Sequence, residues 1–159
     1  MFLPIVAYGS PILRKKCVEI TSDYPGLDIL LENMWKTMYE ASGVGLAAPQ
    51  INQAIRIFLI DTSPIMEEGD EEKSIKRIFI NPKILEASGD EWSFNEGCLS
   101  IPDIREDIKR KSNIIIKYQD ENFDWHEDNF VGIAARVIQH EYDHIEGILF
   151  TDKISPLRK

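Results

Sequence analysis

The chain has 159 residues, enough for one domain with a hydrophobic core of its own, so folding requires no disulfide or metal staple. Its 43% hydrophobic and 28% charged content is that of a globular protein, and no apolar run is long enough to span a bilayer. A formal charge of −9 argues against broad binding to a phosphate backbone; the apolar stretch Phe2 to Ala7, interrupted by Pro4 and followed by Arg14-Lys15-Lys16, is not expected to act as a signal peptide.

From Pro25 to about Ser42 the residues Leu27, Leu30, Leu31, Met34, Met38 and Ala41 recur at helical spacing. They predict an amphipathic core helix, capped by Ser22 or Asp23 and stopped at Gly43. A glycine-rich segment follows, Gly43-Val44-Gly45-Leu46-Ala47-Ala48-Pro49-Gln50. Residues 55–60, 75–85 and 114–118 are rich in β-branched and aromatic side chains and read as strands. Between the first two, Glu67, Glu68, Asp70, Glu71 and Glu72 surround Gly69 and read as a solvated loop, without the spacing of a cation site. Phe123 and Trp125 alternate with polar residues, so Asp120-Glu121-Asn122 is expected to turn a hairpin. From about Asn129 to Gly147 the pattern is helical again, and Ile133, Val137, His140 and His144 fall on one stripe that has to be buried. Helices and antiparallel strands without β-α-β alternation specify an α+β fold, expected as a single domain over residues 1–159 with its strands packed around the last helix.

That helix carries His140-Glu141-Tyr142-Asp143-His144, an H-E-x-x-H sequence. Four residues advance about 400° around a helix, so both imidazoles leave one face and can hold one metal ion. Glu141, about 100° around the cylinder, can then reach a water on that ion. A third ligand normally follows such a sequence, but Ile145 to Lys159 contain no His or Cys, and Glu146 and Asp152 lie too near the helix end. The third ligand is therefore expected upstream, and the best candidate is Cys98 in Glu96-Gly97-Cys98-Leu99-Ser100. A thiolate with two imidazoles leaves a fourth tetrahedral position for water, the mark of a catalytic site, and by ligand type the set suits zinc as well as iron(II). Cys98 as a nucleophile would leave the second histidine one turn away without a purpose. A disulfide to Cys17 is possible in principle; the ligand reading instead makes Cys17 a core residue in a reducing compartment. His126, alone in a polar hairpin, reads only as a hydrogen-bonding residue.

The three segments together resemble peptide deformylases, a family marked by G-x-G-x-A-A-x-Q, E-G-C-x-S and H-E-x-D-H in that order, and the resemblance runs from about Leu3 to the last residue. It implies a metal-dependent hydrolase that removes the formyl group from the N-terminal methionine of newly synthesised proteins. Cys98, His140 and His144 would bind the catalytic divalent metal, iron(II) in this family, with zinc or nickel possible in isolated protein. Glu141 would be the general base, and the Gln50 side-chain amide and the Leu99 backbone N–H the oxyanion donors. Gly43 and Gly45, lacking side chains, would let an extended substrate approach, with Gly45 pairing its main chain; Val44 and Val137 would line an apolar methionine pocket. Arg136 would sit at the rim of that pocket or in solvent, and Glu96 would support the ligand loop by pairing with Arg105. The implied partners are N-formylmethionyl nascent polypeptides, met by a monomer in a bacterial cytoplasm with a transient ribosome contact; the terminal helix some members use for that contact is not identifiable after Ser155-Pro156-Leu157-Arg158-Lys159. Asp103 stands where the family often has a glycine, which affects local loop shape. The alternatives are an H-E-x-x-H metallopeptidase, a general amidase, and a non-enzymatic module whose metal has four protein ligands.

Overall fold

Four consecutive apolar residues, Ile57-Phe58-Leu59-Ile60, dictate the architecture, because neighbours on a strand point to opposite faces and such a run needs cover on both. The computed structural model describes residues 3–66, 68, 69, 74–149 and 152, with 102 and 103 described by backbone alone. Its elements are α1 (Leu27–Glu40), β1 (Gly45–Ala47), β2 (Ile57–Asp61), β3 (Lys76–Cys98), β4 (Ile101–Gln119), β5 (Trp125–Val131) and α2 (Gly132–Ile145), with short 3₁₀ turns between. The strands form one antiparallel sheet in the order β1-β2-β3-β4-β5. Ile57 and Leu59 pack with Leu31, Met34 and Met38 of α1. Phe58 and Ile60 turn the other way, into a cluster with Phe79, Tyr118 and Ile138 of α2. The expected α+β domain, with antiparallel strands packed against the H-E-x-x-H helix, is the one observed.

α1 is two residues shorter at each end than the periodicity predicts. Its cap is Gly26, in a left-handed conformation at φ 70°, and not Ser22 or Asp23. The Gly26 carbonyl accepts from Leu30 N–H at 3.0 Å, so the chain reverses into the helix through a turn that Pro25 and Gly26 favour by backbone shape. At the other end Ser42, not Gly43, adopts positive φ, and Gly43 N–H closes the helix on the Met38 carbonyl.

The largest departure is the β3–β4 hairpin, which extends far beyond the two expected strands. Its outer half hides from a hydrophobicity pattern because charged residues occupy the inward positions Glu96 and Arg110, both buried. The turn after β4 follows expectation: Asp120 Oδ1 accepts from the backbone of Asn122 and Asp124. β5 continues to Val131, so α2 begins three residues later than its polar lead-in suggests. Cys17 is buried in the α2-side core, and neither cysteine is in a disulfide. His126 Nε2–H donates to Asp120 Oδ2 at 2.7 Å on the surface. Of the acidic segment, Glu68 and Gly69 form an exposed turn; Glu67, Asp70, Glu71 and Glu72 lie outside the described residues, as do the side chain of Asp103 and the S-P-L-R-K end. No helix among the described residues is long and apolar enough to cross a membrane.

Phe79 is the centre of the α2-side core: its ring stacks on Phe58 at 4.8 Å and meets Tyr118 at 4.4 Å. Phe79→Ala is expected to lower stability by about 3–5 kcal/mol. Urea unfolding would check this, and a loss below about 1 kcal/mol would show that the two-faced burial of the sheet is not what holds it together.

Candidate active site and metal centre

Cys98 ends β3 at a register shift, and Leu99 and Ser100 turn the chain into β4. The turn is fastened from outside by Tyr8, whose N–H donates to the Ser100 carbonyl at 2.7 Å. Opposite it α2 presents His140 and His144 one turn apart, at 8% and 1% exposure, their rings 5.3 Å apart and near-perpendicular. Cys98 Sγ lies 3.3 Å from His144 Nε2. One ligand atom from each of Cys98, His140 and His144 falls within 4.8 Å of the others. The three groups thus converge on one small space, and a soft thiolate with two imidazoles is a donor set that zinc, iron(II) or nickel accepts.

The imidazoles are prepared differently. His140 Nδ1–H donates to Glu96 Oε1 at 2.9 Å, which fixes the ring's orientation beside Cys98. His144 is held well below its usual pKa by burial, then by His140 and Arg110 nearby, so its ring stays neutral with a lone pair to offer. Glu96 is itself buried, and its partners correct the expected pairing. Arg110 donates to both its oxygens, at 2.7 and 2.9 Å, and Arg136 donates to Oε2. Arg105 instead bonds Asn95, on the outer face, because Arg105 pairs across the hairpin with Gly97 and so alternates away from Glu96. Arg110 also reaches Asp143 at 2.8 Å, within the H-E-x-D-H turn. Arg136 is neither at a rim nor in solvent: it is 2% exposed.

A cavity of about 490 Å³ opens over this centre, and Gly43, Val44, Gly45, Gln50, Cys98, Leu99, Val137, His140 and Glu141 all line it. Every site residue expected from sequence except His144 is therefore on one wall or another, and His144 lies behind Cys98. Gln50 sits in the 3₁₀ turn Ala48–Ile51 with its head group locked: Oε1 accepts from Ala47 N–H at 3.0 Å, and Nε2 points to Ser100 Oγ at 3.2 Å and Cys98 Sγ at 3.4 Å. Gly45 has a reason the sequence could not show. A Cβ there would lie 2.6 Å from Glu141 Oε2, so the bare backbone is what seats the carboxylate. A Cβ at Gly43 would meet Leu99 Cδ1 at 2.7 Å. Burial pushes Glu141 up to about 7, with His140 and Arg110 opposing the shift. Its Oε1 is buried without a hydrogen-bond partner among the described residues, a standing acceptor for a water. Arg110 and Arg136 are the supporting residues that sequence reasoning missed. Each lies at an inward position of its element, and the signal available was the acid at Glu96, which needs a buried cation.

A model of the polypeptide deformylase family matches residues 2–159. The chain belongs to that family. It is 57% identical to a peptide deformylase of Christiangramia forsetii over all of this chain and 85% of that protein. Its fold matches the peptide deformylase of Thermotoga maritima with a TM-score of 0.86 at 38% identity, covering 98% of this chain and 99% of that one. It also matches a class I type b peptide deformylase of Acinetobacter baumannii with Met-Ala-Ser bound, with a TM-score of 0.86 at 32% identity and coverage of 97% and 99%. Peptide deformylases are metal-dependent hydrolases that remove the formyl group from an N-terminal methionine, and this chain is such an enzyme.

Acid should act on this centre through Glu96, whose carboxyl is held down to about 2 from an ordinary 4.5: burial pushes it up, but His140 and Arg110 more than offset that. A folded pKa below the unfolded one contributes stability that is complete above about pH 4.5 and is lost as pH falls towards 2, on the order of 3 kcal/mol in all. In metal-free protein, the stability difference between wild type and Glu96→Gln should therefore shrink between about pH 6 and 3. Denaturant midpoints across that range check this; a difference independent of pH would mean that Glu96 is not the group being titrated.

Proposed function

We propose that this deformylase works as a monomer in a bacterial cytoplasm on N-formylmethionyl nascent polypeptides, which it meets in transient contact with the ribosome, using iron(II) held by Cys98, His140 and His144. The observation that carries the reading is a cavity onto which the Glu141 carboxylate, the Gln50 amide, Cys98 and His140 all face, with His144 beside Cys98 in the same ligand cluster. Once bound, the ion would supply Lewis acidity, lowering the pKa of a water and polarising the formyl carbonyl.

The remaining work belongs to the chain. Glu141 takes a proton from the water as its oxygen bonds to the formyl carbon, a task suited to a carboxylate raised towards neutrality. The carbonyl electron pair moves onto oxygen, where Gln50 Nε2–H and the Leu99 N–H donate; Ala47 and Ser100 hold the Gln50 head group, and the weak Nε2–H contact to Cys98 is the one exchanged for the oxyanion. The C–N bond then breaks, and Glu141 returns the proton to the departing amine, leaving formate and a free N-terminus. Val44 and Val137 line the cavity beside these groups and form the methionine pocket. β1 is first in the sheet order and pairs with β2, so at Gly45 its other edge suits an extended peptide added as a strand. The Acinetobacter relative has Met-Ala-Ser bound, a peptide that begins with methionine as the product expected here would.

Formate release from formyl-Met-Ala is the direct test. Formyl-Gly-Ala should fall roughly ten- to a hundred-fold in kcat/KM, because about 1.5–3 kcal/mol of apolar burial is forgone. Equal efficiency would favour a general amidase, and cleavage within an unformylated peptide a metallopeptidase. Glu141→Ala should keep its metal by elemental analysis yet lose nearly all turnover. A metal-free variant, or wild-type turnover at full loading, would remove Glu141 from the role of base.

The metal itself can be tested in air. An iron(II)–thiolate centre is open to oxidation of the iron and of Cys98, so the iron form should lose activity in aerated buffer faster than the nickel form. Equal half-lives would speak against iron as the vulnerable element.

A further inference from the structure

Arg136 is not used by the mechanism, yet it is among the largest fully buried side chains of the protein. It lies one turn before His140 on α2 and lines the same cavity as Val137. Its Nη1 donates to Glu96 Oε2 and, at 3.0 Å, to the Ile108 carbonyl of β4; its Nη2 donates to the Trp92 carbonyl of β3. The guanidinium plane rests 4.4 Å from the Trp92 ring centre and 5.6 Å from that of Phe94, which also lines the cavity.

Charge balance accounts for part of its presence. Arg110 binds both Glu96 oxygens but also Asp143, so a second buried guanidinium sets two cations against two carboxylates, at the cost of its own desolvation. It also adds geometry. Trp92, Phe94 and Glu96 alternate on the inner face of β3, and the Arg136 fork spans from the Trp92 carbonyl to the Glu96 carboxylate with Phe94 between them. A planar fork with fixed donor directions can hold both ends at once, which a lysine cannot. We propose that Arg136 is a positioning residue that ties the Phe94 wall of the methionine pocket to the metal ligand His140 through Glu96. The role rests on the ligand and pocket assignments made above. It sets both how firmly His140 is aimed and how well the pocket discriminates methionine.

The test uses full-length wild type, Arg136→Met and Arg136→Lys, each loaded with cobalt(II), with two readouts that a loss of stability alone would not move. One is the rate of cobalt release to a chelator, followed by the cobalt–thiolate absorption. The other is the ratio of kcat/KM for formyl-Met-Ala over formyl-Ala-Ala. Arg136→Met is expected to release cobalt ten- to a hundred-fold faster and to narrow the substrate ratio. Arg136→Lys should show the same changes to a smaller degree, and decides the matter if the Met variant does not fold. Wild-type release and an unchanged ratio, with only the melting temperature lowered, would overturn the role and leave the ligand set standing. A Cys98→Ser variant that binds cobalt with the wild-type spectrum would overturn the ligand assignment itself, and the role with it.

Discussion

The site depends on one buried carboxylate. Glu96 is 6% exposed and sits where β3, β4 and α2 meet. An unpaired charge in that position would cost several kcal/mol, so its contacts with Arg110, Arg136 and His140 are the condition for placing it there at all. Ion pairs of this kind add little stability over an apolar core of the same shape. What they confer is direction: each partner accepts only a narrow set of angles, and the three elements that carry them are thereby held in one arrangement.

That arrangement connects directly to the chemistry. Glu96 orients His140 through Nδ1, and Arg110 continues from Glu96 to Asp143, so the H-E-x-D-H turn is gripped at its first histidine and again at its aspartate. His144 and Glu141 between them are left with buried, unpartnered atoms, Nδ1 and Oε1. His140 thus has its Nδ1 held by the protein, whereas the Glu141 carboxylate faces a cavity and is driven by burial towards a neutral-range pKa.

The opposite wall is built from what is missing. Gly45 lets β1 pass close enough that a methyl group would collide with the Glu141 carboxylate, and Gly43 does the same for Leu99. The glycine-rich segment is thus a steric requirement of the Glu141 carboxylate and of Leu99. Gln50, three residues past β1, is fixed by the Ala47 N–H of that strand. The two walls therefore share one framework, β1 packing on α2, and the cavity between them inherits its shape from the sheet.

The sequence by itself determined the parts whose chemistry is local. A helix spacing of four placed two histidines on one face; residue type marked Cys98 as the candidate to match them; apolar periodicity marked α1 and α2, and β-branched and aromatic content β2; and three short motifs in order were sufficient to indicate the family. The tertiary structure decided the rest, because it depends on residues distant in sequence. The outer half of the β3–β4 hairpin was illegible since its inward positions carry Glu96 and Arg110, whose burial is tolerable only once the two form an ion pair on the inner face. Arg105 was the nearer candidate for Glu96, and strand alternation sent it to the other face. Arg136 looked like a surface residue because an arginine in isolation belongs in water. Only the assembled pocket of Glu96, Ile108 and Trp92 provides the acceptors that its two terminal nitrogens meet on burial.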